Sequence, residues 1–392
     1  MKKPHCIVPW TWLATLPNGN ITPCCFNQDV VGSVHEQSID DIWNSKKMRK
    51  LRVNMFRQNL PAECQYCQQV EDLGGESRRD IYNRMLSKHF DEVEENTNDD
   101  GSVKEVKIVG FDWRLSNKCN FSCRYCTPDW SSVINNNVEK NCASALNLGE
   151  FLDKYASNLE FIEFAGGETL LTDEHYYTLD RLIESKNTNI DIWYNTNMSI
   201  LKYKGKSVLD YWRKFNPEKL VVYASIDEID DRAEFLRKGT KWSLIEKNLI
   251  KVSKEKFKVH TNIVVSCYNI FRLHKIIERL TQIGWISDKY EYQNFMLSFE
   301  FDRFHLRLIP EKERSEIKKE FYSYIDYFKD ARGIDLFDKF KHIMLELDQP
   351  IENEKHEWFL RDTLKKDIDR GDNTLKTFPE LKCIIDYLKN EQ

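Results

Sequence analysis

Three cysteines fall within the stretch "NKCNFSCRYCTPDW": Cys119, Cys123 and Cys126, in the spacing C-x3-C-x2-C. Zinc sites usually draw thiolates as pairs two residues apart and need four ligands, so a compact triplet without a nearby fourth Cys or His suits zinc poorly. Three thiolates on one tight loop can instead hold three irons of a [4Fe-4S] cluster. The fourth iron is then open to a small molecule. A second group lies nearer the N-terminus: Cys6, the neighbours Cys24 and Cys25, and the C-x2-C pair Cys64 and Cys67. Cys142, Cys267 and Cys383 stand alone and read as small buried hydrophobes.

Composition frames these thiols. A chain of 392 residues, 41% hydrophobic and 31% charged, has material for one large domain or two to three smaller ones. A net charge of -5 without a basic block implies no nucleic-acid partner. The segment "MKKPHCIVPW" has no apolar run of signal-sequence length, and no later stretch is apolar enough to span a membrane. The expectation is a cytoplasmic protein whose cysteines are ligands or catalysts rather than disulfides.

The elements that must position the thiols follow from punctuation. "TWLATLPNGNITPCC" predicts a β-hairpin turning at Asn18 and Gly19 and delivering Cys24 and Cys25. Ser38, with Asp41 three residues on, opens a helix through "SIDDIWNSKKMRKLRVNMF", and Cys64 and Cys67 follow just beyond Pro61. The acidic run "DEVEENTNDDG" reads as a solvated linker over 91–101. Beyond it, six short runs predict strands: "VKIVGFDWRL", "LEFIEFAGG", "NIDIWYNTN", "KLVVYASID", "FKVHTNIVVS" and "FHLRLIP". Helix-length segments such as "TDEHYYTLDRLIES" separate them, a rhythm that implies a parallel α/β sheet, open or curled towards a barrel. Chemistry in such sheets sits at the carboxyl ends of strands, where the cysteine triplet, "GGET", "NTN" and "SID" lie. His305 and Arg307 are placed in the sixth strand, and 311–392 reads as a helical extension.

The triplet, with Tyr125 just before its last cysteine, resembles the signature of radical S-adenosylmethionine (radical SAM) enzymes. Further stretches match that family in order. Gly166 and Gly167 of "AGGET" would let the backbone approach the cofactor, and Glu168 would meet its ammonium group. Asn195 and Asn197, and Ser225 with Asp227, match positions that reach the ribose hydroxyls; turn capping by these residue types is the alternative reading. The resemblance covers roughly Val103 to Pro310 and implies a partial (β/α)6 TIM-like barrel, here 102–310. The N-terminal cysteines, the hairpin and the "IWNS" helix resemble the auxiliary iron-sulfur modules called SPASM and twitch, which would occupy 1–90. By that resemblance Cys6, Cys24 or Cys25, Cys64 and Cys67 would saturate an auxiliary [4Fe-4S] cluster, the single closing pair suggesting the shorter twitch form; a structural zinc in the same thiolates is the alternative. The module stands before the barrel, whereas such modules normally follow it.

What the resemblance implies is reductive cleavage of S-adenosylmethionine to a 5'-deoxyadenosyl radical that takes a hydrogen atom from substrate, with a flavodoxin- or ferredoxin-like electron donor. Oxidative modification of a peptide or protein is the favoured outcome. Radical dehydrogenation or rearrangement of a small metabolite is one alternative, and a non-catalytic iron-sulfur electron carrier or scaffold is another.

Overall fold

A computed structural model describes residues 4–27, 29–72, 76–134, 139–292, 294–299, 304–351 and 353–391. Its strands are β1 (Trp12–Thr15), β2 (Asn20–Thr22), β3 (Gly32–Ser33), β4 (Gly110–Trp113), β5 (Ser122–Cys123), β6 (Phe161–Phe164), β7 (Asp191–Thr196), β8 (Lys202–Tyr203), β9 (Lys206–Ser207), β10 (Leu220–Ser225), β11 (Arg237–Lys238), β12 (Lys258–Val265) and β13 (Phe295–Phe299). The chain forms two compact units. One holds 1–120, 127–195 and 202–220; the other holds 121–126, 196–201 and 221–392.

In the first unit the strand order is β3-β2-β1-β4-β6-β7. β4, β6 and β7 are parallel, and β1 joins them in parallel through Trp12 opposite Gly110 and Ala14 opposite Asp112. The expected hairpin therefore forms, β1 against β2 antiparallel, and it docks by extending the barrel sheet at its first strand. One face of these strands is apolar and covered by helices. Phe111 meets Phe151 of helix Leu148–Tyr155, and Phe164 meets His175 of helix Asp173–Glu184, with ring centroids 4.8 and 4.9 Å apart. Register puts Asp112 opposite Glu163 and Glu163 opposite Trp193, so these three share the other, inner face.

The close approach of β1 to β4 explains Gly110. A Cβ there would lie 2.1 Å from the Trp12 ring. Gly110→Ala is therefore expected to destabilise the unit by about 3 kcal/mol, the upper end for overpacking a buried contact, read as a lower urea midpoint at unchanged slope.

In the second unit β10, β12 and β13 are parallel. The helices Glu311–Arg332, Phe337–Leu347, Asn353–Arg370 and Lys382–Glu391 make the expected C-terminal extension. Among the described residues no helix is long and apolar enough to cross a membrane.

Three local expectations are corrected. The sixth strand is Phe295–Phe299, not "FHLRLIP". His305 instead caps a 3-10 turn over Leu306–Leu308, its Nδ1 accepting from Arg307 N, while the Arg307 side chain pairs with Glu346 at 2.6 Å. The helix after Ser38 is two helices, Ile39–Trp43 and Lys46–Phe56, because Ser45 caps the second by accepting from Met48 N. The acidic run is not a free linker either. Residues Phe90–Glu95 are helical with Phe90 and Val93 buried, and the rest is tied to the N-terminal helices. Asn44 bonds both N and O of Val103, Arg49 pairs with Asp100 at 2.8 Å, and the buried Arg52 donates to Gly101 O.

Candidate iron-sulfur and cofactor sites

The hairpin, the turn Ala62–Cys64 and the helix Gln65–Asp72 bring Cys6, Cys24, Cys64 and Cys67 to one pocket of about 450 Å³ of empty space, part of it open to solvent. Asn27 organises two of the thiols: its backbone N lies 3.4 Å from Cys24 Sγ and its side-chain amide 3.6 Å from Cys64 Sγ. Burial, reinforced by neighbouring thiols, pushes Cys6 and Cys24 up to about 12. Grouped buried thiolates need positive charge to persist, which is what a bound metal centre provides. Arg79, nearly buried and paired with Glu71, contributes charge beside Cys6. Among the described residues no three His, Cys, Asp or Glu are close enough to hold a single metal ion. Four thiols around one pocket make a ligand set of the number that a [4Fe-4S] cluster takes.

Cys25 separates from Cys24. It does not line the pocket, and the groups acting on its thiol are Asp112, Cys24, Glu163 and Arg114. The structure thus distinguishes two neighbours that the sequence leaves equivalent.

The loop after β4 carries the central cysteines. Cys119 N donates to Ser132 Oγ at 3.3 Å, and Cys126 N donates to Cys123 O at 3.2 Å. Cys123 lies in β5, paired antiparallel with β11 opposite Arg237. The Arg237 guanidinium reaches Cys123 Sγ at 4.0 Å and is held by Asp227 at 2.7 and 2.9 Å. Asp227 Oδ1 also accepts from Val264 N. Asp227 is thus buried and engaged by protein donors, and it steadies a cation beside a candidate ligand. That role left no mark in the sequence pattern, because Arg237 lies far from the motif.

"AGGET" lies against the entry of the cysteine loop. Gly167 N donates to Ser116 O at 3.0 Å and Glu168 N to Lys118 O at 2.7 Å. A Cβ on Gly167 would fall 2.2 Å from Lys118 O, and one on Gly166, whose φ is +114°, 2.7 Å from Ser116 O. The glycines are needed where two backbones touch. The buried Glu168 carboxylate accepts from Leu170 N at 3.3 Å. Tyr125 directs its hydroxyl to Ser266 at 3.0 Å and packs edge-on to Phe304. Asn197 caps a turn by accepting from Ser199 N, Asn195 donates to Glu163 Oε1 at 2.9 Å, and Ser225 ends β10 half-buried. His305 is buried and faces Glu346 at 3.3 Å.

The inner face of β4 and β6 holds a pair that sequence reading missed, although acids within the aromatic runs "FDW" and "FIEF" were a signal. Asp112 is fully buried, and that burial pushes it up to about 6 against the opposing pull of Arg114.

Comparison with known families agrees with this arrangement. Residues 113–280 match the Radical SAM superfamily, and residues 6–68 match the iron-sulfur cluster-binding domain SPASM. The chain thus carries a radical SAM domain, and members of that superfamily are enzymes. Its SPASM domain precedes the radical SAM domain, and the cofactors of the two are a [4Fe-4S] cluster with S-adenosylmethionine and an auxiliary cluster. No curated protein matches. Among solved structures, anSMEcpe with bound AdoMet is 18% identical, with a TM-score of 0.43 and coverage of 57% of this chain and 59% of that one. Streptococcus suis SuiB bound to S-adenosylmethionine is 15% identical, with a TM-score of 0.40 and coverage of 71% and 60%. SuiB bound to its precursor peptide SuiA is 13% identical, with a TM-score of 0.40 and coverage of 73% and 63%. The chain spans about three fifths of the length of these structures.

Proposed function

We propose that this is a cytoplasmic radical SAM enzyme that oxidatively modifies a peptide or protein. Cys119, Cys123 and Cys126 hold the cluster that binds S-adenosylmethionine, and Cys6, Cys24, Cys64 and Cys67 hold the auxiliary cluster. The observation that carries this reading is the pair of thiol sets, one on the loop after the first barrel strand and one around a pocket in a separately matched iron-sulfur domain. When bound, the cluster and S-adenosylmethionine supply a primary carbon radical able to take a hydrogen atom from an unactivated C-H bond. The chain's own groups do the rest. Gly166 and Gly167 set the cysteine loop against "GGET", Glu168 presents a buried carboxylate to the cofactor's ammonium group, and Arg237 offsets charge beside Cys123. Asn195, Asn197, Ser225 and Tyr125 complete the cofactor's surroundings. Four protein thiolates leave the auxiliary centre without an open position, so its role is to pass an electron, which an oxidative outcome requires. A flavodoxin- or ferredoxin-like protein supplies the reducing electron.

Anaerobic protein given a strong reductant and S-adenosylmethionine should release 5'-deoxyadenosine and methionine; their absence from iron-replete protein would overturn the reading. Ligand choice gives a finer check. Cys24→Ser should lower auxiliary iron by at least about half, whereas Cys25→Ser should retain it, because only Cys24 lines the pocket. Equal losses by iron assay would mean that both thiols bind.

A further inference from the structure

The inner face of the first unit contains an incomplete polar site. Asp112 Oδ1 accepts from Arg114 Nε at 2.8 Å, yet Oδ2, fully buried, has no hydrogen-bond partner among the described residues. The carboxylate beside it is satisfied. Glu163 accepts from Asn195 at 2.9 Å and from Tyr82 at 3.4 Å, with Arg78 at 3.8 Å. A buried oxygen left without a donor is costly, and in native proteins such groups find a protein, water or ligand partner. The rim is more open than the floor: the Arg78 and Arg114 side chains are each 22% exposed, and Cys25 is half-buried.

We propose that Asp112 anchors a cationic nitrogen of the substrate, a lysine ammonium or the amino terminus of a peptide. The inference rests on the peptide reading above and names what part of the peptide is gripped. Three features favour a cation over a neutral donor. A charged donor to a buried carboxylate is roughly twice as strong as a neutral one. Glu163 lies directly across the register and adds a second negative charge. Arg114 is committed to Asp112 and to the Trp130 ring at 5.6 Å, and the Arg78 guanidinium lies over the Trp193 ring at 4.9 Å, 3.8 Å from Glu163. The indoles fix the guanidinium groups by cation-π contact, so Oδ2 is left for a donor from outside.

The test uses the full-length, anaerobically reconstituted enzyme with S-adenosylmethionine and three small probes. Nα-acetyl-lysine methylamide carries the side-chain ammonium, alanine methylamide carries a free amino terminus, and Nα-acetyl-norleucine methylamide carries neither. At least one of the first two should bind about tenfold or more tightly than the norleucine probe by calorimetry, as a charge-assisted bond predicts. Which one does so identifies the source of the nitrogen. In Asp112→Asn protein of unchanged iron content the preference should vanish. Equal binding of all three by the unaltered enzyme, or a preference that survives in Asp112→Asn, overturns the proposal without needing the variant's stability to be judged. Assaying 5'-deoxyadenosine in the same preparation keeps the two conclusions apart: formation without amine preference refutes the anchor alone, and amine preference without formation refutes the radical reading alone.

Discussion

Protein in which Cys119, Cys123 and Cys126 are all replaced by Ala should form no detectable 5'-deoxyadenosine while keeping about half its iron, close to four of eight atoms if both centres are [4Fe-4S]. The cleavage loss should be complete because all three candidate ligands of the loop are removed together. The remaining iron should persist because the other four thiols line a separate pocket built by the hairpin, the turn Ala62–Cys64 and the helix Gln65–Asp72. Iron assay and product chromatography on one preparation check both halves. Cleavage by the triple variant would overturn the central assignment. Loss of all iron would instead show that the N-terminal thiols hold no cluster on their own.

Much of the fold is legible in the sequence. Strands such as "FIEF" and "LVVYAS" combine β-branched and aromatic residues between turn signals, and a parallel sheet buried on its apolar face permits little else. The radical SAM and SPASM domains are legible because cysteine spacing is local. What failed was non-local. "FHLRLIP" has strand propensity, but His305 and Arg307 are drawn to Glu346 in a helix some forty positions on. The acidic run is polar, yet Arg52 binds the backbone of its last residue, Gly101, and Arg49 pairs with its Asp100 from a distance. Neither Cys24 nor Cys25 is distinguished by its neighbours in sequence; only the curl of the chain after β2 sends one to the pocket and the other towards Asp112. Asp112 itself reads as a polar position on an ordinary strand until register sets it beside Glu163.

The C-terminal extension, which the sequence marks only as helical packing, has a specific grip on the cysteine loop. Arg124, between Cys123 and Cys126, is fully buried, and its guanidinium meets Asp367 Oδ1 at 3.0 Å and Asp372 Oδ2 at 3.4 Å. The same helix, Asn353–Arg370, holds the loop backbone: Lys366 donates to Arg124 O at 2.9 Å and Arg370 to Ser122 O at 2.6 Å. Removing one partner of a buried ion pair costs about 3–5 kcal/mol, and the 19% exposure of Asp367 places this pair at the lower end. Arg124→Ala is thus expected to loosen the loop while Lys366 and Arg370 keep it attached. The expected result is at least a tenfold faster release of the loop-bound iron to a chelator and a comparable fall in 5'-deoxyadenosine formation, with the N-terminal iron unaffected. Arg124→Lys should recover only part of the loss, because an ammonium keeps the charge but cannot reach Asp367 and Asp372 with separate nitrogens. Asp367→Asn should act in the same direction but more weakly, since Asp372 still faces the guanidinium. If Arg124→Ala released iron no faster than the unaltered protein, the buried ion pair would have no part in holding the cysteine loop, and the helix would grip it through Lys366 and Arg370 alone.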